Sequence, residues 1–129
     1  MGNEQVFWHV TFHPYHRSEA LWEEVEAYFY ELAAEVAARL GFQIVRMVAM
    51  PDHVHLLLCV PPWLKVVDAI GQIKGYTARR ILQRYPELRC DMKSPGFWAA
   101  GYHFVRHSDA SLPKVLRYIE TQKARGGLE

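Results

Sequence analysis

The spacing of apolar residues divides the first part of the chain into one strand and one helix. Residues 6–13 are rich in β-branched and aromatic side chains, which is typical of a strand, and Pro14 ends it. A helix follows, because Ser18 is a favourable N-cap and apolar residues then recur every three or four positions until Gly41. The apolar positions of this helix are Leu21, Val25, Tyr28, Leu32, Val36 and Leu40.

The rest of the chain predicts a hairpin, a second helix, a further strand and a final helix. Pro51 and Asp52 separate two apolar runs and predict the turn of an antiparallel hairpin. The predicted ranges are 42–50 and 53–60 for the hairpin strands, 64–84 for the second helix, 85–96 for a polar loop, 97–105 for the last strand, and 112–125, capped by Ser111, for the final helix.

The order of these elements, β-α-β-β-α-β followed by a helix, predicts the fold class. It indicates an α+β protein with a ferredoxin-like antiparallel sheet and an added C-terminal helix. We expect residues 1–129 to form a single domain. Two helices would cover one face of the sheet. The other face is then available to a ligand, to the last helix or to a second subunit.

Composition indicates a globular protein rather than a disordered tail or a membrane segment. Apolar residues make up 50% of the chain and charged residues 22%, which is enough to build a core. No apolar run approaches the roughly 18–20 residues that span a bilayer, and the N-terminus lacks the regions of a signal peptide. Cys59 and Cys90 form no CxxC motif and predict free thiols. We therefore expect a cytoplasmic protein that binds no membrane.

The net charge of +1 conceals an asymmetry between the two halves of the chain. Residues 1–62 contain 3 Lys/Arg and 8 Asp/Glu, a net charge of −5, whereas residues 63–129 contain 12 and 6, a net charge of +6. A basic half is a candidate surface for phosphate groups. The alternative interpretation is that these charges cover solvated helix faces.

Two histidines stand at alternate positions of the second hairpin strand, in the sequence Met-Pro-Asp-His-Val-His-Leu that begins at Met50. Successive side chains of a strand point to opposite faces, so His53 and His55 share one face while Val54 points into a core. Two adjacent imidazoles form half of a metal site. The chain lacks paired thiolate ligands, which argues against a structural zinc site.

A second group of polar residues shares one stripe of the C-terminal helix. Lys114, Tyr118, Gln122 and Arg125 are spaced by three or four residues and therefore lie on one face. The Tyr118 hydroxyl can attack a phosphate as a nucleophile, and the Gln122 carbonyl oxygen can bind a metal. The alternative interpretation is an ordinary amphipathic helix with a half-buried tyrosine.

Together these motifs resemble the HUH motif (His, hydrophobic residue, His) and the tyrosine helix of the small single-tyrosine transposases. These are the TnpA-type enzymes of the insertion-sequence 200/605 group. The resemblance covers essentially the whole chain. Beyond the histidine motif, the segments that carry it are Ile73-Lys74-Gly75, Phe97-Trp98 through Gly101-Tyr102, and Tyr118-Ile119-Glu120-Thr121-Gln122.

The resemblance implies an activity and assigns the site residues. It implies that His53, His55 and Gln122 bind a divalent metal, for which Mg²⁺ or Mn²⁺ is expected. It implies that Tyr118 attacks a phosphodiester of single-stranded DNA, forms a 5′-phosphotyrosine link and releases a 3′-OH. The expected substrates are DNA transposon ends that fold into hairpins. The expected assembly is a homodimer in which the tyrosine helix can complete the site of the partner.

Further residues are candidates for contacts with DNA. We expect Lys74, Arg79, Arg80 and Lys114 to contact the DNA backbone. An aromatic group near the last strand either stacks on exposed bases or belongs to the core; it consists of Trp98, Tyr102 and Phe104. The remaining histidines have no spacing that pairs them with the motif and are interpreted as structural or surface residues; they are His9, His13, His16, His103 and His107.

Three alternative functions stay open at this point. One is a domesticated HUH endonuclease that acts on genomic hairpins without mobilising an element. Another is a non-catalytic single-stranded nucleic-acid-binding protein on the same ferredoxin-like fold, which would need neither the histidine pair nor Tyr118. The third is a metal hydrolase that uses water as its nucleophile and would keep its activity in a Tyr118→Phe variant.

Overall fold

The computed structural model describes residues 6–15, 21–88 and 96–127, the last five of them without their side chains. The elements in chain order are β1 (Val6–Phe12), α1 (Glu23–Leu40), β2 (Gln43–Met50), β3 (His53–Cys59), α2 (Val66–Arg84), β4 (His103–Ser108) and α3 (Leu112–Gly127). The strands form one antiparallel sheet in the order β2-β3-β1-β4. This architecture confirms the predicted α+β class with an added C-terminal helix.

The register of the sheet gives its two faces different chemistry. On β1, Thr11 lies opposite His55 of β3, and His9 lies opposite Leu57 of β3 and Val105 of β4. Because side chains alternate along a strand, these residues share one face. The opposite face carries the apolar side chains of the intervening positions.

Each face of the sheet packs against its own helical layer. On one face, residues of α1 and α2 cover Val10, Phe12 and Leu56 and form the larger core. On the other face, α3 contributes Val115 and Ile119 to a smaller core. The sheet residues in this smaller core are Phe7, Val48 and Leu57. The last helix of the same chain is therefore one occupant of the second face.

The predicted last strand over 97–105 is wrong in its position. The strand β4 begins at His103, and Gly101 adopts a left-handed φ of 86° just before it, which breaks an extended run. Phe97 and Trp98 instead belong to the larger core, where the Trp98 ring packs edge-on against Phe12 at a centroid distance of 4.6 Å. Both rings are buried in the larger core and therefore lie outside β4. The local sequence pattern does not reveal this burial.

The start of the first helix also differs from the prediction, whereas its end agrees with it. The helix α1 begins at Glu23, so Ser18 is not its N-cap; Ser18 itself lies outside the described residues. Leu21 precedes the helix but is buried, and its N–H donates to the carbonyl of Pro51. Gly41 ends the helix in a left-handed conformation with φ of 80°.

Two expectations from composition can be compared with the part of the chain that the structure covers. Within the described ranges, none of the helices has the length and apolar character needed to cross a membrane. Cys59 is a free thiol. Cys90, His16 and part of the predicted 85–96 loop lie outside these ranges.

Thr77 links α2 to the segment before β4 inside the larger core. Its hydroxyl accepts a hydrogen bond from the Trp98 indole N–H at 2.9 Å and donates to the carbonyl of Ile73 at 2.6 Å. Thr77 is fully buried and Trp98 nearly so. The indole N–H therefore depends on this hydroxyl, because water is excluded.

We expect Thr77→Val to destabilise the fold by about 1–3 kcal/mol, because it leaves a buried indole N–H without an acceptor. Thr77→Ser is the matched control, since it keeps the hydroxyl and loses only a methyl group. Urea unfolding followed by tryptophan fluorescence measures both. Equal stability of Thr77→Val and the native protein would contradict this role.

His55 is the buried titratable side chain of the second face. Only 5% of its surface is exposed. Burial, followed by the neighbouring His53 and His9, lowers the pKa of His55 from 6.5 to about 4. The folded protein therefore holds this imidazole in its neutral form at neutral pH.

This pKa predicts a loss of stability in acid. Between about pH 6.5 and 4 the unfolded chain binds a proton at His55 that the folded chain does not bind. Stability must then fall as the pH is lowered through this window, by at most about 1.4 kcal/mol per pH unit from this group. We expect urea unfolding at pH 7 and pH 5, with EDTA present, to show a smaller loss for His55→Gln than for the native protein. Equal losses of stability in the two proteins would contradict the lowered pKa of His55.

Candidate active site

The histidine motif lies at the start of β3, directly after the turn at Pro51 and Asp52. Strand alternation places His53 and His55 on the face that α3 partly covers, with their ring centroids 4.9 Å apart. Val54 between them is fully buried in the opposite core. The two histidines therefore lie on one face of the sheet, as strand alternation predicts.

The His53 ring is oriented by its neighbour in sequence. Its Nδ1 lies 2.8 Å from Oδ1 of Asp52, so the Nδ1–H donates to the carboxylate. The proton on Nδ1 leaves Nε2 with a free lone pair. A carboxylate in this position is the usual outer partner of a metal-binding histidine.

The His55 ring has a different partner and a different environment. Its Nδ1 lies 3.0 Å from Nε2 of His9 on the adjacent strand β1. Its Nε2 is buried and has no hydrogen-bond partner within the described part of the chain. An orphaned buried nitrogen is unfavourable unless a ligand satisfies it. This atom is the strongest indication in the site of where a ligand would bind.

The helix α3 brings Tyr118 and Gln122 to the same place. The Tyr118 ring lies 5.9 Å from the His55 ring and 5.8 Å from the His9 ring, between centroids, and half of its side chain is exposed. The Gln122 side-chain N–H donates to the Tyr118 carbonyl at 3.4 Å, one turn earlier. This contact leaves the Gln122 amide oxygen available as an acceptor or a metal ligand.

These side chains line one cleft of about 540 Å³. The four residues that the sequence predicts as metal ligands and nucleophile all line this cleft, together with further histidines. Its lining residues are His9, Thr11, His13, Asp52, His53, His55, His103, Val105, Tyr118 and Gln122. Residues about 67 positions apart in the chain, such as His55 and Gln122, therefore share one site.

The donor set of the cleft fits a divalent cation. No three His, Cys, Asp or Glu side chains converge on one point among the described residues, so a complete set needs the amide of Gln122. The orphaned Nε2 of His55 and the oriented ring of His53 supply two nitrogen donors. Ring nitrogens and an amide oxygen can bind Mg²⁺ or Mn²⁺, but they bind these ions less tightly than carboxylates would. Three protein ligands also leave coordination positions open for a substrate.

The residues predicted to contact DNA occupy three different environments. The Lys74 ammonium donates to the carbonyls of Ala99 and Gly101, at 2.9 and 2.6 Å, and burial lowers its pKa. Arg79 and Arg80 are exposed on α2, which packs on the sheet face opposite the cleft.

The fourth predicted contact, Lys114, is nearest to the site in sequence. It is exposed on α3, one turn before Tyr118 and on the same stripe of the helix. The four predicted cations therefore do not form one surface, and Lys114 is the one that shares an element with the nucleophile.

The sequence interpretation missed His9 as a member of the site. The sequence predicts a structural or surface role for His9, because its position has no spacing that pairs it with His53 or His55. Burial, then His107 and His103, lowers its pKa. A usable signal was present: β1 and β3 are neighbours in a ferredoxin-like sheet, and His9 stands at alternate positions with Thr11 and His13 on one face.

Comparison with known proteins gives concordant results. The model of the family described as "Transposase IS200 like" matches residues 3–122. The chain is 30% identical over 118 residues to the ISDra2 transposase TnpA of Deinococcus radiodurans, covering 92% of this chain and 84% of the relative. The Salmonella typhimurium transposase for insertion sequence element IS200 is 24% identical over 115 residues, covering 89% of this chain and 75% of that protein.

Solved structures share the fold. A crystallised Deinococcus radiodurans R1 protein assigned as a transposase has a TM-score of 0.75 and 27% identity, over 92% of this chain and 91% of that one. A REP-associated tyrosine transposase bound to a REP hairpin has a TM-score of 0.67 and 16% identity, over 96% and 70%. With matches in sequence and in backbone that extend over most of its length, the protein belongs to the IS200-like family of transposases.

Proposed function

We propose that the protein cleaves and rejoins single-stranded DNA at hairpin-marked transposon ends through a 5′-phosphotyrosine intermediate. Tyr118 is the nucleophile, and His53, His55 and Gln122 hold a divalent cation, Mg²⁺ or Mn²⁺. The observation that supports this most directly is the position of Tyr118 and Gln122 beside the histidine pair in one cleft. Family membership supports the reaction class, DNA transposition.

In the cleavage step the Tyr118 hydroxyl oxygen attacks the phosphorus of a phosphodiester. The bond from phosphorus to the tyrosine oxygen forms while the bond to the 3′ oxygen breaks, and the 3′ oxygen leaves as a hydroxyl after it takes up a proton. The Tyr118 proton passes to water, which reaches the half-exposed side chain. Lys114 lies one turn away on the same stripe of the helix, so its positive charge can face the same phosphate.

The protein side chains supply a preorganised cation site. His53 and His55 offer ring nitrogens, because the hydrogen bond to Asp52 places the proton of the His53 ring on Nδ1 and because burial keeps His55 neutral. Gln122 offers an amide oxygen from α3. A bound divalent cation stabilises the charge that develops on the non-bridging phosphate oxygens. Rejoining is the reverse displacement, in which a 3′-OH attacks the phosphotyrosine, so the diester energy is conserved and no ATP is needed.

A single-stranded hairpin is the proposed substrate. A structural neighbour is a tyrosine transposase bound to a REP hairpin, and this chain shares its fold. Phe104 lies opposite Val10 of β1, and the Tyr102 ring lies 5.7 Å from the Phe104 ring between centroids. The two side chains are 37% and 40% exposed, so they are available to stack on unpaired bases. Trp98, by contrast, is 8% exposed and belongs to the core. The net charge of +6 in residues 63–129 supports a phosphate-binding role of this half.

We also propose a homodimer, as the family resemblance implies. Support comes from β4, which lies at the edge of the described sheet and exposes Phe104 and Val105. An exposed apolar edge strand is prone to pair with another chain. In the structure α3 packs on its own sheet through Val115 and Ile119, which supports a site completed within one chain.

A covalent-adduct assay tests the proposed chemistry. A labelled single-stranded hairpin oligonucleotide from the flanking genomic sequence is incubated with the protein and Mg²⁺ or Mn²⁺, and the products are separated on a denaturing gel. We expect a protein–DNA band that is absent with EDTA and absent in Tyr118→Phe. His53→Ala removes a metal ligand and should reduce the band by more than the 10–100-fold typical of losing an outer hydrogen-bond partner.

The same gel, run beside a native gel that reports DNA binding, distinguishes the metal hydrolase and the non-catalytic binder from the proposed enzyme. Cleavage that survives Tyr118→Phe would contradict the nucleophile and identify a metal hydrolase. DNA binding without cleavage in the native protein would identify a non-catalytic binder. Thr121→Val is the matched control, because its hydroxyl donates to the Tyr118 carbonyl on an exposed part of α3 and carries none of the proposed chemistry.

Mixing two inactive variants tests whether each site is completed within one chain. A Tyr118→Phe protein and a His53→Ala protein are combined and allowed to exchange subunits, with exchange verified by differently tagged chains. Because α3 packs on its own sheet, we expect no more covalent product than the sum of the separate variants. Restored product would show that the tyrosine helix completes the partner's site instead.

A further inference from the structure

The two histidines of the motif are oriented by different partners. The partner of His53 is the carboxylate of Asp52, its neighbour in sequence, at the half-exposed end of the strand. The partner of His55 is another imidazole, that of His9, on a different strand. His55 is the more deeply buried of the two, and it has the orphaned Nε2. Its orientation therefore depends on a residue outside the motif.

The register of the sheet fixes the pair His9 and His55. Thr11 lies directly opposite His55 and Leu57 directly opposite His9, so the two imidazoles are diagonal neighbours across β1 and β3. Their ring centroids lie 5.2 Å apart and their ring planes are inclined by 28°. β1 is hydrogen-bonded to a strand on each side, so His9 is held on a central strand of the sheet.

Only one proton arrangement of this pair leaves His55 able to bind a cation. If His9 donated its Nε2–H, the proton of neutral His55 would lie on Nε2, where a buried donor finds no acceptor among the described residues. If His9 accepts, the proton of His55 lies on Nδ1 and the Nε2 lone pair is free. In that arrangement His9 carries its own proton on Nδ1.

We propose that His9 is a positioning residue that accepts the Nδ1–H of His55 and thereby holds His55 in the tautomer whose Nε2 binds a cation. The inference rests on the metal site of the proposed function. His9 would then do for His55 what Asp52 does for His53, namely accept the Nδ1–H. His9 does so as a neutral group in a buried place. A partner of this kind commonly affects metal affinity by 10–100-fold.

The tautomer of His55 tests this directly in the metal-free protein. Long-range ¹H–¹⁵N NMR correlations of ¹⁵N-histidine-labelled protein identify which ring nitrogen carries the proton, and the spectrum of His55→Gln assigns the signals. We expect Nδ1 of His55 to be protonated and Nε2 to be bare. A native protein with the proton of His55 on Nε2 would overturn the proposal, and this readout needs no variant at position 9.

Variants at position 9 separate the hydrogen bond from the packing of the ring. His9→Phe keeps a planar ring without an acceptor, and we expect it to move His55 toward the Nε2–H tautomer and to weaken Mn²⁺ binding, measured by calorimetry, by 10–100-fold. His9→Gln keeps an acceptor oxygen at similar reach and should recover most of the affinity. Should His9→Phe fail to fold, His9→Met replaces it in the comparison with His9→Gln.

His107→Phe is the control of matched chemistry. His107 contacts the His9 ring at 6.4 Å between centroids, and its Nδ1 lies 3.5 Å from the Ser111 hydroxyl. This control should leave the tautomer of His55 and the Mn²⁺ affinity unchanged. A His9→Phe protein that keeps the Nδ1–H tautomer and binds Mn²⁺ within twofold of the native protein would overturn the role of His9. A native protein with the expected tautomer that binds no Mn²⁺ would instead contradict the metal site of the proposed function.

Discussion

The packing of α3 on the second face of the sheet is the contact on which the site depends. Ile119 is fully buried and Val115 nearly so, against Phe7, Val48 and Leu57. Full burial of such a side chain contributes about 1.5–3 kcal/mol. The nearby ion pair between Arg46 and Glu120, at 3.1 Å, is half exposed and adds little to stability. The apolar contact therefore sets the position of the helix, and with it that of Tyr118 and Gln122.

The strand β3 contributes apolar side chains to the larger core and polar side chains to the cleft. Its residues Val54, Leu56 and Leu58 are fully buried on the face that α1 and α2 cover, while His53 and His55 face the cleft. Such a strand cannot shift by one residue without moving its histidines into the larger core, so the register is strongly specified. Burial keeps His55 neutral and its ring fixed, which lowers stability in acid but preserves a nitrogen donor at neutral pH.

Much of this arrangement can be predicted from periodicity. Alternation predicted that His53 and His55 share a face, and helical spacing predicted the common stripe of Tyr118 and Gln122. The limits of β4 could not be predicted in the same way, because Phe97 and Trp98 resemble strand residues locally but are buried in the larger core.

Contacts between elements account for the rest of what the sequence did not reveal. The role of His9 depends on a diagonal contact across two strands, which is a property of the sheet register and not of spacing within one strand. The positions of Arg79 and Arg80 opposite the cleft likewise depend on which sheet face α2 covers. A charge pattern within a helix carries no such information.

The proposed cation site combines His53 and His55 of β3 with Gln122 of α3. Paramagnetic broadening by substoichiometric Mn²⁺ in NMR spectra measures this directly, because the effect falls steeply with distance from the ion. We expect the ring signals of His53 and His55 and the side-chain amide signals of Gln122 to broaden together, before those of His107. Broadening of the two histidines while the Gln122 amide stays sharp would contradict it.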